Sequence, residues 1–294
     1  MSYLKRFASV RARATVTGFF LFILAGCDSQ QEQHQLANEN LREMVFVEGG
    51  SYMMGDFGKT MGEFLPFSPD PDNKPMHKVT LDSFSISKYR ITWGQYNRYR
   101  AFTGKPVPKK FEFYRSMGEG DPYLMRTRDE YPAEVLWQDA KDYCLWLGRV
   151  SGHKSDLPTE AQWEYAARSR GKNYIMANED NYWRKESRGE KINFAESIEP
   201  VGSYAPNPLG LYDMMGNGRD WINDWYSPDF YAYSPEKNPH GPASGEEKVL
   251  RGSGGGAYWK NVVITRWSNT LKDDPKNVPI GEGFRCVINE EAPL

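Results

Sequence analysis

Apolar and polar residues along this chain form short, clearly punctuated blocks. Met44 to Val47 is a brief apolar run that predicts a strand, and Gly49, Gly50 and Gly55 mark the turn after it. From Lys78 to Tyr89, apolar residues recur at Val79, Leu81, Phe84 and Ile86, which is strand-like alternation. Thr92 is placed to cap a helix from about Trp93 to Phe102. Trp137 to Val150 predicts a second helix, with Ala140, Tyr143, Cys144 and Leu147 on one face. Thr159 to Arg168 predicts a third, and Thr159 with Gln162 makes a capping box. Beyond Arg170, Gly, Pro, Asn and aromatic residues dominate and regular structure is expected to be sparse. No internal repeat appears. Residues 43–294 read as one domain, long enough to bury a full core.

The N-terminus has a different pattern. Lys5, Arg6, Arg11 and Arg13 precede an apolar run, Ala14 to Leu24, which is too short to span a bilayer comfortably. Leu24-Ala25-Gly26-Cys27 matches a bacterial lipobox. The reading is a signal peptide over 1–26 and an acylated N-terminus at Cys27, in a periplasmic protein anchored to the membrane through lipid. An ordinary secretory signal with an incidental cysteine is the alternative. Asp28 favours retention at the inner membrane. Residues 27–42 then form the acylated N-terminus and a flexible tether, because Ser29 to Asn40 is polar with no apolar period. Loss of residues 1–26 takes the formal net charge from −2 to −6. That disfavours nucleic acid or an anionic lipid surface as the main partner.

Three stretches carry a family resemblance. They are Asp156 to Gly171 (DLPTEAQWEYAARSRG), Gly210 to Pro228 (GLYDMMGNGRDWINDWYSP) and Lys248 to Cys286, which ends in GFRC. Together they resemble the formylglycine-generating enzymes. The resemblance covers about Met44 to Val287 and implies an α+β fold related in topology to C-type lectins: a single domain of low regular content. It also implies a catalytic cysteine pair after the glycine-rich turn. Here the corresponding residues, Tyr258 to Arg266, contain no thiol. A copper-thiolate oxidase needs soft sulfur ligands, so no catalytic residue is assigned and no copper is expected. Iron-dependent relatives need a histidine pair at helical spacing. The four histidines here are scattered, so no iron is expected either.

The resemblance further implies a disulfide between Cys144, in Tyr143-Cys144-Leu145-Trp146-Leu147-Gly148, and Cys286. An exported chain favours such pairing; two free buried thiols are the alternative. In the family, the turn matching Gly216 to Trp221 helps to hold calcium. Asn217, Gly218 and Asp220 are the candidate ligands for a structural ion. Two differences count against it: Asp220 stands where the family has a longer glutamate, and Arg219 where it has a tryptophan. A turn held by hydrogen bonds is the alternative.

Other motifs exclude more than they assign. There is no Gly-x-Ser-x-Gly, no Walker loop and no zinc-type cluster. The glycine-rich Lys248 to Gly256 reads as close packing, with Arg251 tied to buried carbonyls or acids. Trp137, Trp146, Trp163, Trp221, Trp225 and Trp267 fall where the family has core aromatics. Trp259 and Lys260, with Thr265, lie where the family's substrate groove runs. Lys105 to Tyr131 is longer than the family's connection and carries Phe111, Phe113, Tyr114, Tyr123, Glu119 and Asp121. Exposed aromatics among charges suit a protein interface; a loop that folds back over them is the alternative. The chain is therefore expected to bind rather than catalyse. The expected partner is a protein, and the role that of an immunity protein against a secreted antibacterial toxin such as a type VI phospholipase. A periplasmic oxidase of the pyoverdine-maturation type, or an accessory protein of an envelope machine, are the rival readings.

Overall fold

The computed structural model describes residues 17–178, 198–253, 262–271 and 281–294, with side chains from residue 29 onward. It begins with a long helix, α1 (Thr17–Arg42). Strands β1 (Met44–Val47) and β2 (Gly50–Met54) follow, then β3 (His77–Leu81) and β4 (Phe84–Ser87). Four helices come next: α2 (Trp93–Thr103), α3 (Lys109–Arg115), α4 (Pro122–Met125) and α5 (Trp137–Ser151). They lead into β5 (Ser155–Asp156) and α6 (Glu160–Ala167). The C-terminal part holds β6 (Gly218–Trp225), β7 (Glu247–Ser253), β8 (Trp267–Thr270), β9 (Glu282–Gly283) and β10 (Val287–Ile288).

The strands make three sheets. One has the order β1-β4-β10-β5, β2 and β3 form a ribbon, and β8-β7-β6-β9 form the sheet that matters for the site. In it, β6 pairs antiparallel with β7 and parallel with β9. The α+β fold expected of the family resemblance is the fold observed.

Local sequence explains the helices well. Thr92 and Thr159 both close full capping boxes, with Gln95 and Gln162 reaching back to the cap residue. On α5, Ala140, Tyr143, Cys144 and Leu147 are all buried. There they meet Tyr96 and Tyr99 of α2, and Phe284. Cys144 and Cys286 are joined across a sequence separation of 142, so the expected disulfide is present.

Three expectations change. Val79 and Leu81 lie on β3, whereas Phe84 and Ile86 lie on β4, and the two strands belong to different sheets. The shift from odd to even apolar positions at Asp82-Ser83 marks the break. The region beyond Arg170 carries β6, β7 and β8, a more regular core than its Gly- and Asn-rich composition suggests. Residues 29–42 are not a flexible tether but the end of α1. Leu36, Ala37 and Asn40 are buried there, at i, i+1 and i+4 on one helix face. Tyr143 donates to Asn40 at 3.1 Å and Trp146 to Gln33 at 3.2 Å. Among the described residues, no helix is long and apolar enough to cross a membrane.

Candidate functional site

Strand β6 divides two groups of charge. Successive side chains on a strand point to opposite faces, and Arg219 and Asp220 are neighbours. Asp220 is fully buried. One of its oxygens accepts from Arg90 Nε at 2.7 Å; the other accepts from Arg285 Nε and Trp163 Nε1, each at 2.8 Å. Burial raises its carboxyl pKa, but Arg285 and Arg90 more than offset this and hold it below the usual range.

This arrangement bears on the expected calcium site. Arg90 also donates to the carbonyls of Asn217 and Gly216, and to that of Gly218 at 2.7 Å. Its guanidinium thus takes up the carbonyl and carboxylate oxygens that an ion would need. The Asn217 side-chain oxygen accepts from the Glu199 amide at 2.8 Å. With their acceptors engaged by a resident cation and a main-chain donor, Asn217, Gly218 and Asp220 do not fit a calcium site. No group of three or more metal-binding side chains occurs among the described residues. Neither Arg90 nor Arg285 carries a local signal of this role, although Arg285 lies inside the GFRC motif.

On the other side of β6, the Arg219 guanidinium lies over the Trp267 ring, 4.2 Å from its centroid. Trp267 is oriented by its own donation to the Gly252 carbonyl at 3.1 Å. Strand register places Glu282 of β9 beside Arg219. Glu282 is buried and accepts from Asn269 of β8 at 3.0 and 3.2 Å. Burial pushes its carboxyl up to about 7, against the pull of Lys110, Asn269 and Arg219; Glu134 adds to the rise. A second carboxylate, Glu134, anchors the wall. Lys110 reaches it at 2.7 Å, Tyr114 donates at 3.0 Å and the Gly281 amide at 2.7 Å. All three converge on one oxygen; the other has no hydrogen-bond donor, and Arg126 stands 3.7 Å from it.

Lys110, Tyr114 and Arg126 come from the Lys105–Tyr131 segment, which is a pair of short helices rather than an open loop. Phe111 packs edge-on against Trp93 at 4.6 Å and is buried, as is Tyr114. Tyr123 is half-buried, stacked on Tyr114 at 5.4 Å and covered by Arg126 at 4.7 Å. Asp121 caps α4 by accepting from the Tyr123 amide at 2.8 Å. Phe111, Tyr114 and the Asp121 carboxylate are therefore internal supports, not partner contacts. Phe113, Met125 and Glu119 remain exposed.

Trp259 and Lys260 lie outside the described residues. Past them, Val263, Ile264, Thr265 and Arg266 are buried. Arg266 pairs with Glu160 at 2.7 Å, and Arg251 bridges Glu160 at 2.9 Å and Glu164 at 2.7 Å. Arg251 is tied to buried acids as its sequence context suggests, and Thr265 faces the core instead of a groove. Trp146, Trp163 and Trp221 are buried, while Trp137, Trp225 and Trp267 are half-exposed.

A family model, the sulfatase-modifying factor enzyme 1-like domain, matches residues 29–290. The formylglycine-generating enzyme of Streptomyces coelicolor is 31% identical over 298 residues, covering 84% of this chain and 89% of that protein. Serine/threonine-protein kinase pkn1 of Chlamydia pneumoniae is 33% identical over 263 residues, 85% of this chain. The chain spans only 38% of that protein's length. Among solved structures, PvdO from Pseudomonas aeruginosa superposes with a TM-score of 0.63 at 25% identity, covering 84% of this chain and 94% of that one.

Proposed function

The chain belongs to the sulfatase-modifying factor enzyme 1-like family, and from that premise we propose that it is a lipid-anchored member that binds a protein partner and does not generate formylglycine. Of its three cysteines, two form the disulfide and the third is Cys27 of the lipobox. The family's thiol chemistry has no residue left to perform it.

The observation that carries the binding reading is the α3–α4 platform. It is held from beneath by Lys110, Tyr114 and Arg126 around Glu134, and it leaves Phe113 and Met125 exposed. Two exposed apolar side chains and the exposed acid Glu119, all from the α3–α4 segment, supply the apolar and acidic groups that a protein interface uses. A partner with a basic mouth fits that chemistry. The specific reading is an immunity protein that covers the active site of a secreted toxin such as a phospholipase. Anchoring at Cys27 would place the lipid six residues before Gln33, about 9 Å along a helix. The domain would then sit close to the membrane on a short, stiff mount.

The test is to capture the periplasmic partner, purify it and measure its inhibition. Phe113→Ala and Met125→Ala are each expected to cost at least about tenfold in affinity if they are hot spots. Full inhibition by both variants would move the interface elsewhere. Cys27→Ser is expected to release a folded domain from the membrane. A second reading, an oxidase, is favoured by the likeness to PvdO together with the Glu282 carboxyl near neutrality. Substrate-dependent oxygen consumption that is lost in Glu282→Gln would favour it over binding.

A further inference from the structure

Arg219 stands out among the buried and half-buried arginines. Arg90, Arg251, Arg266 and Arg285 each donate to a carboxylate and to at least one carbonyl. Arg219 has the Trp267 ring beneath it, yet no acceptor for its guanidinium among the described residues, and its Nε is buried without a partner. A guanidinium stays charged in a protein, and holding it partly out of water without an anion is costly. The two carboxylates nearby do not meet that need. Glu134 is engaged by Lys110, Tyr114 and the Gly281 amide. Glu282 is held by Asn269. Three cations, Arg219, Lys110 and Arg126, thus share a wall with two carboxylates, and Arg126 too has a buried nitrogen without an acceptor.

We propose that Arg219, stacked on Trp267 beside Glu282 and Asn269, is a receptor for the oxyanion group of a small ligand, a carboxylate or a phosphate. The planar fork offers two parallel donors to such a group. The Trp267 ring 4.2 Å away holds the guanidinium against one face, so that less freedom is lost on binding. Glu282 tunes the choice. A protonated carboxyl beside the fork donates to a carboxylate, whereas an ionised one repels a phosphate dianion. The ligand contacts come from β6, β8 and β9, and neither Phe113 nor Met125 takes part; the two regions adjoin at Lys110 and Glu134.

The test uses the mature folded chain with inorganic phosphate and with acetate as probes, at constant ionic strength made up with chloride. Thermal melting and calorimetric titration are the readouts. With either probe, the wild type is expected to melt at a higher temperature, saturably in anion concentration. Acetate at pH 6 is expected to act at lower concentration than phosphate at pH 8; the reverse order assigns the site to phosphate. Arg219→Met is expected to weaken the response at least tenfold while its anion-free melting temperature stays at or above that of the wild type. A purely structural arginine would lower it. If Arg219→Met does not fold, Arg219→Lys keeps the charge but loses the fork, and the same weakening is expected. A wild type indifferent to both probes, or a variant that responds as the wild type does, overturns the proposal.

Discussion

Arg219 and Asp220 are adjacent residues of one strand, yet their surroundings are opposite in kind. Asp220 is saturated: two guanidiniums and an indole take both its oxygens. Arg219 has an aromatic face and, among the described residues, no acceptor. A buried polar group with every bond made is an element of the fold, and removing it harms stability. One with bonds unmade has capacity left for a ligand, and removing it harms binding more than folding. On the proposal above, this difference separates the residue that holds the fold from the residue that binds a ligand.

The largest expected effect tests the saturated side. Asp220→Ala leaves Arg90 and Arg285 without their shared carboxylate in a site closed to water. Breaking a buried ion pair by removing one partner costs about 3–5 kcal/mol. Urea unfolding is expected to show a loss of that order; a loss below about 1 kcal/mol would mean that the two arginines find other acceptors.

Next in size is the disulfide, which pins Cys286 directly after Arg285. Replacing both cysteines with alanine is expected to cost about 2–5 kcal/mol. If the double variant also frees Arg285 from Asp220, Asp220→Ala costs less in that background than in the wild type, and a triple-variant comparison reads this directly.

The unsaturated side predicts a gain. The Glu282 carboxyl is raised to about 7 from an ordinary value near 4.5. Between those values the folded state binds more protons than the unfolded one, so this group's contribution to stability falls as pH rises through that window. Glu282→Gln keeps an acceptor for Asn269 and removes the charge. It is expected to stabilise the fold at pH 8 by roughly 1–3 kcal/mol and to change little at pH 4. Equal effects at both pH values would show that the carboxyl titrates normally.

How far these regions were legible in the sequence follows from how local their causes are. The Thr92–Gln95 and Thr159–Gln162 boxes act within four residues, and both helices were readable. The pairing of Cys144 with Cys286 is legible only through the family resemblance, with the expected export favouring it. The docked end of α1 is hard to read because only Leu36, Ala37 and Leu41 are apolar there, and Asn40, a polar residue, is buried with Tyr143 donating to it. Strand β6 was missed because it is mostly buried and carries Gly218, Arg219, Asp220 and Asn223 in place of an alternating pattern. Arg90 meets Asp220 across 130 positions, and no local pattern announces that. The anchors Lys110 and Glu134 were hidden for the same reason, since each looks like an ordinary surface charge until the fold brings them to 2.7 Å.

The smallest expected effect is on the wild type exposed to a chelator, and it bears on the same turn. Arg90 already supplies positive charge to the Gly216, Asn217 and Gly218 carbonyls and to Asp220. Chelation is therefore expected to leave the melting temperature unchanged within about a degree; a fall of several degrees would place an ion where the guanidinium sits. Arg90→Ala sharpens the point. It removes the cation but leaves the carbonyls and the carboxylate, an oxygen set suited to a hard ion. Millimolar calcium is expected to restore part of the stability that this variant loses, and to do nothing for Arg90→Ala/Asp220→Ala. If calcium rescues neither, the turn accepts a guanidinium only, and the arginine is part of its shape as well as its charge.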